Sequence, residues 1–474
     1  MKSPLVLALA TVALAVGSPA AAATIVINVA DGAGEGFNDP NPPGDPSQRG
    51  NNPGTTLGEL RLNLFETAAN VWAGILDSEV TITVNARFDP LTCSASSGTL
   101  GFAGAAASSA NVPNGLAGTR YPIALAESLA GANLNGSGAE INATFNSEPD
   151  TLSADCLGGG GYYYGLDGDA PAGQISLFSV VLHELGHGLG FASFAQENGQ
   201  FSGGLPDIFS RQLRDLETGK NWADMSDAER AASSLNDPDL VWTGARVTTA
   251  RGDFLDNAVE MVINSPPAIA GTFPVTLGQE PDIDLDSTGV TADVVDGDAL
   301  GGCTFFANNA AVAGRIALFA EDGDCFSPFR GFFTETAGGV GAIISSDQPL
   351  GDASVSGQIS NQDVTIPYVG TTQALGNDLR NNLPGANVTL RRSTTVFIGE
   401  NAGRVRMYAP ASFEAGSSVS HWSSAATPDL LMEPRLGNIG FDQVDLTVAA
   451  FQDMGWRTRS AGPPLIFKDA FEIP

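Results

Sequence analysis

The segment Val181-Leu182-His183-Glu184-Leu185-Gly186-His187 carries two imidazoles four positions apart, with an acid directly after the first. On an α-helix, residues four apart lie about 400° around the axis and about 6 Å along it, so both rings leave one face and can share a metal ion. Neutral imidazole is a good zinc ligand, and catalytic zinc sites use three protein ligands while leaving the fourth position to water. The ion lowers the pKa of that water, and a neighbouring carboxylate takes its proton as it attacks a carbonyl. Glu184 has the type and place for that acid/base role. With 3 His and 53 Asp plus Glu in 474 residues, chance produces the pattern about 0.002 times per chain. A zinc-dependent endopeptidase, hydrolysing peptide bonds in proteins or peptides, is therefore the expected activity.

The third ligand is open at this level. His421 is the one remaining histidine, so an all-histidine set has a single completion. A carboxylate is the alternative, since His₂Glu zinc sites exist, and Asp207 and Glu229 are the downstream candidates. A different class of function also fits: a secreted binding or adhesion protein in which the metal is a structural staple. That reading calls for four protein ligands.

The elements that must carry these residues are visible as patterns. Positions 24–29 alternate as a strand does, and 31–55 is a Gly-, Pro-, Asn- and Asp-rich loop whose aspartates have the chemistry to occlude a metal cleft. Thr56 and Glu59 make a capping box, and apolar residues at helical spacing predict a helix to Leu76. Alternation predicts a strand over 80–86. An apolar run from Ile175 predicts a buried helix through the histidine pair, with Gly190 as its stop because Gly adopts the left-handed conformation at little cost. Positions 207–234 read as one or two polar surface helices, 444–456 as a closing helix, and Leu100 and Phe102 within 98–103 as core packing. The Gly- and Asp-rich stretch 158–173 offers oxygen ligands for Ca²⁺ but lacks the spacing of an EF-hand loop.

Composition places the chain outside the cell. Met1 and Lys2 precede an apolar run and small residues up to Ala23, the layout of a signal peptide over 1–23. The destination is secretion, with periplasm or cell surface as variants. No later stretch reaches the roughly 18 apolar residues of a membrane helix. A net charge of −31 repels phosphate backbones and anionic lipid, so nucleic acid is not an expected partner. Cys93, Cys156, Cys303 and Cys325 form an even set whose clustering favours Cys93–Cys156 and Cys303–Cys325 disulfides. Oligomeric state leaves no signature.

The run His183 to Phe191 (HELGHGLGF) resembles the helix of the metzincin peptidases, whose longer pattern ends in a third histidine. Ser193 stands at that position. The leishmanolysin-like branch carries its third histidine after an insertion, and Ser420-His421-Trp422 followed by Leu431-Met432-Glu433-Pro434 is similar to that distant histidine and its Met-turn. The resemblance implies His183, His187 and His421 as zinc ligands, with Met432 as a hydrophobic floor beneath the metal. It also implies an edge strand above the cleft to which an extended substrate adds, with 98–103 as the candidate in place of core packing. Cys303, Val312-Ala313-Gly314-Arg315-Ile316-Ala317-Leu318, Cys325, the Ala337 to Ile344 segment and Ile366-Pro367 are similar to a protease-associated (PA) domain, which either orients substrate or acts as a spacer.

The expected fold is α+β: a metzincin-like domain built from 24–262 and 398–457, interrupted by a β-rich PA domain at 263–397. A tail follows at 458–474.

Overall fold

The computed structural model describes residues 22–459 apart from 280–282, 301–302, 322–324, 348–354, 356–357, 360–363 and 436–443. Nearly all of the expected leader and tail lie outside the described residues. The chain divides into two compact units, one of residues 1–251 and 404–474, the other of Gly252–Gly403. The second unit is wider than the expected 263–397 because its first strand begins at Asn257.

In the first unit, strands β1 (Ile25–Val29), β2 (Ile82–Asp89), β3 (Gly101–Ala105) and β4 (Ile141–Asn146) form a sheet in the order β1-β2-β4-β3. β1, β2 and β4 are parallel, while β3 runs antiparallel to β4 at the edge. Helix α1 (Leu57–Ile75) starts at the Thr56–Glu59 capping box, a feature that stabilises a helix start by about 1 kcal/mol. Helix α2 (Leu177–Leu189) is buried at every position and ends at Gly190, whose φ is 123°. A helix buried all round belongs in the centre of a domain, and α2 packs against both α1 and the sheet. Trp72 of α1 donates its indole N–H to Leu182 O at 3.0 Å. At Gly188 a Cβ would stand 2.4 Å from Ile141 Cγ2, so glycine there permits the close approach of helix to sheet.

The loop at 31–55 is tied to the core. Gln48 and Asn52 are buried and donate to Tyr162 O, Leu60 O and Tyr164 O. Asp31 accepts from Phe37 N and Phe88 N, Asp39 from Asn41, and Asp45 from Ser47 N. These aspartates cap turns rather than occlude a metal cleft. The expectation of polar helices at 207–234 is corrected. Strands Leu213–Asp215 and Lys220–Asn221 join Leu240–Trp242 in a small sheet, and the one α-helix there is Asp227–Ser233. Buried Phe209, Leu213 and Trp222 make this stretch part of a core. The closing helix spans Thr447–Met454.

The second unit is a closed barrel of β5 (Asn257–Ser265), β6 (Gly271–Leu277), β7 (Val290–Asp296), β8 (Ile316–Ala320), β9 (Gly341–Ser346), β10 (Tyr368–Thr372) and β11 (Asn387–Phe397), in the order β5-β6-β10-β9-β8-β7-β11. Ile316 and Leu318 of β8 face one core cluster, while Ala317 and Phe319 face a second. A strand buried on both faces reads as a continuous apolar run, as IALF does here. Cys93–Cys156 and Cys303–Cys325 are both bonded.

Candidate metal centre

α2 presents His183 and His187 on one face, and the segment around 421 brings the third imidazole to them. The Nε2 atoms lie 3.1 Å apart for His183 and His187, 3.0 Å for His187 and His421, and 3.2 Å for His183 and His421. All three rings are buried. Each Nδ1 faces a backbone carbonyl: Leu431 O at 2.6 Å for His183, Phe191 O at 2.7 Å for His187, and Ser417 O at 2.8 Å for His421. A carbonyl only accepts, so each Nδ1 carries the proton and each neutral Nε2 is an acceptor. Three acceptor lone pairs thus converge with no proton between them, which is the donor set of a metal ion. Tetrahedral zinc with bonds of about 2.05 Å places its nitrogens about 3.3 Å apart, and the observed separations fit to within a few tenths of an ångström.

Electrostatics agree with neutral ligands. Burial pushes His183 down to about 4 and, with the neighbouring His183 ring adding to burial, His187 to about 3; His421 is held well below its ordinary value for the same reasons. Glu184 is raised to about 8 by burial, opposed by its hydrogen bond from Ala103 N. That bond, 2.8 Å to Oε2, ties the carboxylate to the edge strand β3. A divalent cation suits such a buried group of acceptors and one acid.

Met432 is fully buried against α2 at Gly186, where a Cβ would lie 2.7 Å from its Sδ. The turn holding it is braced by Asp445, which accepts from Leu431 N at 2.5 Å, and by Glu433, which accepts from Leu430 N at 2.9 Å. The alternative third ligands are elsewhere engaged. Asp207 accepts from Phe194 N, Ser210 N and Ser210 Oγ, and Glu229 pairs with Lys220 and caps Ser226 N. Among the described residues, the three histidines are the one group of His, Cys, Asp or Glu spaced to hold an ion. The Asp side chains of the 158–173 stretch form no such group among the described residues, so calcium there has no support; Asp167 accepts from Tyr163 Oη.

β3 contributes more than the sequence indicated. Phe102 is 54% exposed, correcting the expectation of core packing. Its neighbours Gly101, Ala103 and Ala105 turn their backbone N–H and C=O groups to the open edge, because Ala106 N and Leu100 O bond toward β4. Reading alone missed the Nδ1 acceptors, which are main-chain atoms without a sequence signature, and Asp445.

Residues 290–379 match the family model of the PA domain. No curated protein matches the chain. Among solved structures, a zinc aminopeptidase from Bacillus subtilis is similar at 20% identity over 30% of this chain and 31% of its own, with a TM-score of 0.23. An aminopeptidase from Aneurinibacillus sp. strain AM-1 is similar at 19% identity, over 29% of this chain and 31% of its own, with a TM-score of 0.22. A psychrophilic subtilisin-like protease from Pseudoalteromonas sp. AS-11 is similar at 17% identity over 29% and 34%, with a TM-score of 0.22. The chain spans about a third of the length of each. The established membership is thus of one segment: the second unit contains a PA domain.

Proposed function

We propose that this chain is an exported zinc-dependent endopeptidase of the metzincin type, with its third histidine and Met-turn supplied from beyond an inserted PA domain. The observation that carries the reading is the convergence of three proton-free Nε2 atoms, 3.0–3.2 Å apart, beside a buried carboxylate. When bound, zinc acidifies a water and polarises the scissile carbonyl. His183, His187 and His421 hold it, and Met432 lies under the helix that carries the pair.

Glu184 takes the proton of the attacking water and returns it to the leaving amine. Its Oε2 is occupied by Ala103 N–H, which fixes the carboxylate and leaves Oε1 for this work. The open edge of β3 favours an extended polypeptide added as another strand, with main-chain hydrogen bonds supplying affinity. Edge groups on both sides of Ala103, whose own N–H is held by Glu184, suit a chain cleaved internally. Export agrees with the two disulfides and with the absence of any helix long and apolar enough to cross a membrane among the described residues.

The test is digestion of casein by zinc-loaded protein, with cleavage positions read by mass spectrometry. Internal cleavage that stops on chelation and returns with zinc is expected, and Glu184→Gln is expected to retain zinc while losing at least 100-fold in rate. Trimming from one terminus only would refute the endopeptidase assignment, and a fully active Glu184→Gln would refute the mechanism.

A further inference from the structure

His421 reaches the pair on α2 from 234 positions beyond His187, and something must hold it there. Its carbonyl accepts from Tyr408 N at 2.9 Å, and Trp422 N donates to Met432 O at 2.9 Å. Neither bond connects it to the chain leaving α2. The hydrogen-bonded link is made by Ser193, whose N–H donates to Ser420 Oγ at 3.1 Å, beside the ring contact of Phe191 with Trp422 at 5.0 Å between centroids.

Ser193 is itself held by a directed chain. The Ser210 hydroxyl is 2.7 Å from Asp207 Oδ2, 2.8 Å from Ser193 Oγ, and has one hydrogen. A carboxylate only accepts, so Ser210 donates to Asp207 and Ser193 donates to Ser210. Ser193 Oγ then accepts from Ala195 N at 3.1 Å. Asp207, 1% exposed, ends the chain by also accepting from Ser210 N at 2.7 Å and Phe194 N at 2.9 Å. These bonds fix the segment after α2 around a buried carboxyl group.

We propose that Asp207, Ser210, Ser193 and Ser420 are positioning residues for the metal centre: the residue at the place of the third histidine in the short-spaced pattern seats the segment that supplies that histidine. This rests on the three histidines being a zinc site. Asp207→Asn would turn an amide N–H toward a donor, Phe194 N or Ser210 N, and remove one of the two acceptors on which the chain ends. Ser420→Ala removes the acceptor of Ser193 N–H without touching a ligand.

The test uses the full chain stripped of metal, titrated with zinc against a competing chelator, and with cobalt(II) to read ligand geometry from the absorption spectrum. Ser420→Ala is expected to weaken zinc about 10-fold and to shift the cobalt spectrum, Asp207→Asn to weaken it at least as much, and Ser420→Thr to keep near-wild-type values because the hydroxyl remains. A merely structural role would lower the melting temperature and leave affinity and spectrum of the folded protein alone. Should Asp207→Asn fail to fold, the Ser420 pair decides. If wild type binds zinc and Ser420→Ala binds it equally well with the same spectrum, the positioning chain is overturned and the metal site stands; if wild type binds none, both fall.

Discussion

Gly186 and Met432 fill one space: the absent side chain of the first is where the thioether of the second lies, 2.7 Å from where a Cβ would be built. The glycine between the two histidines is therefore a socket for the turn that carries Met432. Trp72 Cζ2, 3.4 Å from the same point, closes the other side.

Gly186→Ala gains about 1 kcal/mol of helix propensity and loses about 1–3 kcal/mol to overpacking, so a net destabilisation of about 1 kcal/mol is expected in urea unfolding. Because the clash is with one side chain, Met432→Ala in the same molecule is expected to recover part of that loss. Strictly additive effects of the two changes would show that the pair does not interact.

The helix bearing the pair was legible because imidazoles four apart and an apolar surround are local features. The Thr56–Glu59 box was legible for the same reason. What sequence could not settle depends on partners distant in the chain. Alternation places Leu100 and Phe102 on a strand but does not say that this strand ends the sheet, which leaves Phe102 in solvent. Asp207 has a ligand's chemistry, yet its neighbours Phe194 and Ser210 consume it. The roles of Gly186 and Gly188 depend on Met432 and Ile141, both far away in the chain.

Arg61 and Asp150 form an ion pair at 2.5 Å with side chains only 3% and 7% exposed. Tyr164 Oη also donates to Asp150, and Arg61 Nη1 donates to Gly36 O at 2.6 Å. Asp150→Ala leaves the guanidinium buried without its counter-charge, and a loss of about 3–5 kcal/mol is expected from denaturant unfolding. Arg61→Met combined with Asp150→Leu is expected to lose less, since neither charge then remains. A loss below about 1 kcal/mol for Asp150→Ala would contradict the burial of the pair.

Burial raises Glu433 from 4.5 to about 8. The folded chain then holds a proton that the unfolded chain releases, so this group's contribution is fully present below about pH 4.5 and is lost progressively as pH rises to about 8. The slope is at most about 1.4 kcal/mol per pH unit. Glu433→Gln keeps an acceptor for Leu430 N and is expected to flatten stability against pH across this window. An unchanged slope would place the carboxyl in solvent.

The Cys93–Cys156 bond closes a separation of 63 residues, for which restriction of the unfolded chain contributes about 4 kcal/mol. Replacing both cysteines with alanine is expected to lower stability by roughly that amount, read by the urea midpoint. No change in midpoint would mean that the bond does not form in the purified protein.

The central claim is that one ion is bound by three imidazoles, the third from far along the chain. Zinc K-edge absorption fine structure of the loaded protein measures this directly. A shell of three imidazole nitrogens at about 2.0–2.1 Å with one oxygen is predicted, falling to two imidazoles in His421→Ala. A wild-type shell with two imidazoles, or one unaltered by His421→Ala, would contradict it.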